Sequence, residues 1–264
     1  MQSKTHATRS ALIGLLSTSL LLCCVVSVRA SATPAINSIP PGTILPIRLN
    51  HGFSEKSQPG SVISGRIMQA VPLPNAEAIP AGATVSGTIT ATQPAANGAS
   101  PTVSFTFNQL EIHHQKFPIS VDLRALASSM QISLAQIPEV ASGFGTPTPW
   151  ADSVQIGGDY VYGANGGDVT DQYNQVVGKA LLTGGVLVHV QAQPGTPCRG
   201  DLGDSDRLQA LWVFSADACG VYGLHGVKIA HAGRTDPVGV VTLAAESGQV
   251  KVGGGSGMLL RTIN

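Results

Sequence analysis

The chain has 264 residues with 15 basic and 15 acidic side chains, so its formal net charge is zero, and only 11% of its residues are charged. Scattered Lys and Arg without a net positive charge exclude a nucleic-acid-binding protein, which needs a basic footprint for phosphates. Gly (31) and Pro (17) are frequent beside abundant Val, Ala, Ser and Thr. That composition predicts an all-β protein of many short strands joined by turns.

Residues 1–10 are polar and carry Lys4 and Arg9, Ala11 to Val28 is an apolar run of 18 residues, and small residues follow at Ala30, Ser31 and Ala32. A basic start, an apolar middle and small residues at the cut make residues 1–32 a signal peptide. Cleavage fits after Ala30 or after Ala32, and the second site is favoured. A retained anchor is the alternative, because 18 residues is at the lower edge of the roughly 17–25 that span a bilayer. Past Ala32 no apolar run is long enough to cross as a helix, so no transmembrane helix is expected after cleavage. Residues 1–32 hold three basic residues (Lys4, Arg9, Arg29) and no acidic one, so the remainder, with twelve basic and fifteen acidic residues, carries −3.

From residue 33 a barrel-like module is expected, running to 137. Its strands are Thr43–Leu49, Ser61–Val71, Ala83–Thr92, Val103–Phe107, Leu110–Ile112 and Phe117–Leu123, with apolar residues recurring at period 2. Pro59-Gly60 marks a turn and Asn97-Gly98 a loop. Ile39-Pro40-Pro41-Gly42-Thr43-Ile44 is echoed by Ile79-Pro80-Ala81-Gly82-Ala83-Thr84-Val85. Adjacent His113 and His114 in a β-type run would face opposite sides and could not share a metal. Residues 124–137 are the one plausible helix. The Gly/Pro/Thr/Ser-rich stretch at 138–150 predicts a linker.

Residues 151–264 are expected to form a sandwich-like second domain. Eight short strands are predicted: Val154–Gly157, Asp159–Tyr162, Val186–Gln191, Gln209–Phe214, Val221–Leu224, Val227–His231, Val238–Ala244 and Met258–Thr262. Cys198 and Cys219 are the only cysteines left after cleavage, and in an exported chain they pair as a disulfide. Closing a loop of about twenty residues contributes on the order of 3 kcal/mol in the chain-entropy account. Asp201, Asp204 and Asp206 alternate with other residues in a short loop that could offer oxygens to calcium, although the EF-hand pattern lacks its Gly and its terminal Glu. A solvated loop is the competing reading.

Two further sets are candidate binding residues. Tyr160 and Tyr162 share one strand face and could stack on a sugar or a peptide. Arg234 and Asp236, in Gly233-Arg234-Thr235-Asp236-Pro237, could bind a ligand or close a turn on each other. Signatures of hydrolase chemistry are missing: Ser256 lacks the second glycine of a nucleophile elbow, and there is no zinc-protease motif or phosphate loop. No catalytic residue and no cofactor is assigned.

The string Pro41-Gly42-Thr43-Ile44-Leu45-Pro46-Ile47-Arg48-Leu49, then Pro59-Gly60, then Ile79 to Gly87, resembles the β-barrel module of the envelope-spanning scaffold subunit of type IV secretion and conjugation channels. The resemblance covers residues 39–92. It implies a barrel without catalytic residues that packs into a larger envelope assembly, in the periplasm or outer envelope. Expected partners are envelope proteins or further copies of the chain. A soluble carbohydrate- or peptide-binding protein using the aromatic residues of the C-terminal domain is the alternative.

Overall fold

A computed structural model describes residues 38–75, 77–96, 98–137, 152–162, 166–191 and 207–263. In chain order the first strands are β1 (Ile44–Leu49), β2 (Phe53–Ser54), β3 (Val62–Ile67), β4 (Val71–Pro72) and β5 (Ala78–Ile79). The long strands β6 (Thr84–Gln93) and β7 (Thr102–Ile112) follow, then β8 (Gln115–Pro118), β9 (Val121–Ala127) and a short helix, α1 (Ser129–Ala135). Next come β10 (Asp152–Val154), β11 (Tyr160–Tyr162), β12 (Asp168–Thr170), β13 (Val176–Ala180), β14 (Val186–Val188) and β15 (Gln209–Ala210). The last elements are β16 (Gly220–Tyr222), β17 (Val227–His231), β18 (Val241–Ala245), β19 (Lys251–Val252) and β20 (Gly257–Thr262). The all-β expectation holds.

The echoed motif does the same job twice. Gly42 and Gly82 both take positive φ, +77° and +88°, in tight turns that feed β1 and β6. An added Cβ at either would meet nothing within 4 Å, so glycine is required by backbone conformation and not by space. His113 and His114 also have positive φ and form the turn of the β7–β8 hairpin, rather than lying on opposite faces of a strand.

The main sheet has ten strands in the order β16-β9-β20-β1-β3-β6-β7-β18-β17, with β8 added on β7. It curls into a nearly closed barrel. A short turn joins β16 to β17, and the Leu123 N–H on β9 donates to the Ala232 carbonyl just past β17 at 2.9 Å. The interior is solid with side chains. Phe105 stands edge-on to Phe53 (5.1 Å between ring centres) and to Phe107 (5.8 Å), among Leu45, Ile47, Val85 and Leu243. Each such buried side chain contributes about 1.5–3 kcal/mol relative to exposure.

The second sheet is a six-stranded antiparallel meander in the order β10 to β15. It lies over the barrel wall made by β1, β9 and β20. Ile44, Ala125, Ala127 and Leu259 from that wall share a second core with Val161, Val169, Val188, Leu211 and Phe214. Among the described residues no helix is long and apolar enough to cross a membrane.

Several expectations are corrected. A division into consecutive domains at 33–137 and 151–264 is not how the sheets are built, because β16, β17, β18 and β20 complete the barrel begun by β1, β3 and β6 to β9. The described residues form one compact unit. Strand edges left by β1, β7 and β9 need backbone partners, and only later strands supply them. The linker expected at 138–150 and the signal peptide expected at 1–32 lie outside the described residues. The helix expected over 124–137 begins only at Ser129, with Ser128 as its N-cap accepting from the Gln131 N–H, because Arg124–Ala127 continues β9. The strand expected over Gln209–Phe214 stops at Ala210, and residues 211–219 turn inward, with Trp212 at φ +55°.

Candidate docking groove

The buried turn that replaces the expected strand organises the neighbourhood. Gln69, only 2% exposed, reaches across from the barrel and acts as a strand partner made of one amide. Its Nε2 donates to the Val186 carbonyl at 2.8 Å, and its Oε1 accepts from the N–H groups of Val186 and Trp212. Arg124, fully buried on β9, donates to the carbonyls of Gln191 and Ala216 at 2.7 and 3.2 Å. Asp159 accepts from the Ala216 N–H on the other side of the same turn. Burial pushes the Asp159 carboxyl up to about 6, the Ala216 hydrogen bond opposes this, and nearby Asp217 and Asp171 raise it further.

Helix α1 sits beside this turn. Ile132 is its buried residue and packs close to Gly257 of β20. Met130 and Leu134, at i and i+4 on α1, are 70% and 55% exposed, and Ile137, just past its C-cap, is 61% exposed, so apolar side chains here face solvent. Between α1 and β10 runs a groove of about 180 Å³ lined by Leu134, Ile137, Val154 and Ile156 among others. It adjoins a cleft of about 230 Å³ lined by Ser153, Val161, Val186 and Trp212. Ala135 and Gln155 line both, and none of the described lining residues is charged.

Among the described strands β10 lies at the end of its sheet. The Gln155 N–H donates to the Asp159 carbonyl at 2.8 Å, so by the alternation of an antiparallel ladder the backbone groups of Asp152 and Val154 point away from β11. Farther along that edge, Ile156 bridges in parallel to Phe214: its N–H donates to Val213 and its carbonyl accepts from Ser215. Gln155 is 5% exposed, and its Nε2 donates to the Trp212 carbonyl at 3.4 Å. Its Oε1 has no hydrogen-bond partner. A groove whose described lining is mostly apolar, a strand edge and a buried acceptor adjoin one another here.

The residues singled out from sequence are distributed otherwise. Tyr160 lies on β11 and is 39% exposed; Tyr162 is on the same strand, its side chain outside the described residues. Trp212 is buried, and the Tyr222 hydroxyl is bonded to the Cys219 backbone, so neither belongs to an exposed aromatic face. Burial raises the Tyr222 hydroxyl above its ordinary range. Arg234 is turned to the fully buried Asp122 (3.2 Å), which Arg261 also binds at 2.6 Å, while Asp236 is exposed. That ion cluster ties the 231–240 loop to β9 and β20. It takes Arg234 away from the expected pairing with Asp236, because a buried carboxylate binds a guanidinium more strongly than an exposed one does. Cys198, Asp201, Asp204 and Asp206 lie outside the described residues. Among the described residues no group of three or more His, Cys, Asp and Glu is placed to hold a metal.

Gln69, Asp122, Arg124 and Gln155 were not found from sequence. Each is a single polar residue in an ordinary β context, and its partners lie far away in the chain, up to 143 residues for Gln69. No family model, no curated protein and no solved structure matches this chain.

Proposed function

We propose that this chain is an exported, non-enzymatic protein of a bacterial cell envelope that works in structural assembly through protein–protein contacts. The observation that carries the reading is the set of exposed apolar side chains Met130, Leu134 and Ile137, the last two of which line the groove. Clustered exposed apolar side chains beside a concavity mark partner surfaces. The sequence features agree: a signal peptide cut after Ala32, a Cys198–Cys219 disulfide suited to an oxidising compartment, and a barrel that resembles an envelope scaffold module. In this reading the filled barrel is a rigid mount, and the second sheet with α1 is what it presents.

The test is the native size of the mature protein after gentle extraction, with cross-linking and partner identification. A large assembly with reproducible envelope partners is expected. A monomer released freely without partners overturns the reading. The alternative, a soluble carbohydrate- or peptide-binding protein using aromatic residues, has exposed Tyr160 and Tyr173 in its favour. Glycan binding lost on Tyr160→Ala would select it.

A further inference from the structure

We propose that the outward face of β1 and β3 binds an oxyanion of the phosphate class, held by Arg48 with Ser129 at its side and Arg66 on the next strand. The site lies on the flank of α1 that carries Ser129, more than half a helical turn away from Gln131 of the groove, and it does not depend on the protein-contact reading.

The geometry starts at Gly255. It takes φ +81° where the chain enters β20; its N–H donates to the Leu49 carbonyl and the Leu49 N–H donates to the Ser256 carbonyl, both at 2.9 Å. Two residues therefore oppose one, the bulge that a left-handed glycine makes. A Cβ built on Gly255 would stand 3.4 Å from the Ser129 Cβ and 3.5 and 3.6 Å from Nη2 and Nε of Arg48, nearer than any other atom of that guanidinium. These two nitrogens form one edge, the edge that grips a carboxylate or phosphate with parallel hydrogen bonds. The same edge of Arg261 grips Asp122 in this protein, with Nη2 at 2.6 Å and Nε at 3.1 Å from one oxygen. On Arg48 it lies at the bare side of a glycine, with the Ser129 side chain beside it.

Arg66 adds the second charge. It pairs with Arg48 in the β1–β3 ladder, so both side chains leave the same face of the barrel, Arg48 half-buried and Arg66 exposed. Like charges set directly opposite repel, and an anion beside both relieves that repulsion. Residues 44–67 and 247–259 carry Arg48, Lys56, Arg66 and Lys251 against one acid, Glu55, which is buried. Residues 152–217 hold eight acids against three bases, so positive charge gathers on this wall of a chain that carries −3 beyond residue 32. Such a local field draws anions. A phosphate brings a charge of about −1.5 to −2 and three acceptor oxygens, which match two guanidiniums and a hydroxyl better than a single carboxylate does.

The experiment titrates the full exported chain with inorganic phosphate at constant ionic strength, with chloride as the reference, and reads the heat of binding. Saturable binding of one phosphate is expected, weakened about ten-fold or more in Arg48→Gln, which loses charge-assisted hydrogen bonds. Arg66 is exposed, so Arg66→Gln folds even where Arg48→Gln does not, and there the loss should be about three-fold. Lys116→Gln, at an exposed cation on β8, should bind as the parent does. No saturable binding, binding unchanged in both arginine variants, or an equal loss in Lys116→Gln overturns the proposal. Displacement of phosphate by an equal concentration of a poly-glutamate peptide also overturns it, in favour of a protein carboxylate. Phosphatidylcholine vesicles with and without phosphatidic acid identify the source. Retention that needs both phosphatidic acid and Arg48 supports the site as a lipid-phosphate site, whereas phosphate binding without vesicle retention supports it as a site for a soluble phosphate.

Discussion

Two walls of one barrel are built on different rules. In the wall of β3, β6 and β7, inward and outward residues alternate: Val85, Gly87 and Ile89 are buried, while Thr84, Ser86 and Thr88 are partly exposed. In the wall of β1, β9 and β20 the alternation disappears, and every residue of β9 is buried. Its inward residues, Leu123 and Leu126, fill the barrel, and its outward residues, Ala125 and Ala127, meet the second sheet. A period of two therefore reports water on one face of a strand, not the strand itself.

The largest expected effect tests the interior that both walls share. Phe105→Ala should cost about 3–5 kcal/mol, because the cavity would lie between two other rings, and a denaturant titration reads it directly. Next comes the contrast between outward positions. Ile44→Ala on the covered wall should cost about 2–4 kcal/mol and loosen the second sheet, whereas Thr88→Ala on the free wall should stay within about 0.5 kcal/mol. Equal effects at the two sites, measured the same way, would falsify the two-wall description.

The bond between the layers can be tested at a single amide. Gln69→Leu keeps the volume but removes the acceptor of the Val186 and Trp212 N–H groups, so a loss of about 1–3 kcal/mol is expected, with a change in Trp212 emission. The smallest effect is electrostatic. The Asp159 carboxyl is raised in the folded protein, from 3.8 to about 6, so the folded state holds its proton more tightly than the unfolded chain does. Stability is then highest below pH 4 as far as this group is concerned, and falls by on the order of 1–2 kcal/mol as pH rises through 6. Asp159→Asn should flatten that slope, and a wild-type slope surviving in the variant would assign it to another group.

Legibility in the sequence follows the same division. The strands of the free wall were readable because solvent imprints alternation on them, although β7 unites two segments that Asn108 and Gln109 make look separate. The end of β9 was not readable as a strand. Leu123 to Ala127 is a continuous run of mostly Leu and Ala, whose composition suits a helix and whose double burial depends on a sheet that lies later in the chain. The hairpins β12 and β13 were missed because Thr170, Gly178 and Lys179 interrupt any apolar rhythm. The groove was illegible for a related reason. Gln155 and Leu134 become neighbours only through packing, and no local spacing links them.

By itself the sequence determined the all-β class, the turns that Gly42 and Gly82 impose and the absence of a second long apolar run, since these depend on local sterics and composition. Tertiary structure alone decided that C-terminal strands close the N-terminal barrel, that Arg234 serves Asp122, and that a groove opens between α1 and β10. The reason is physical. Edge backbone groups, buried charges and apolar faces are satisfied by whichever partner reaches them in space, and distance along the chain does not limit that reach.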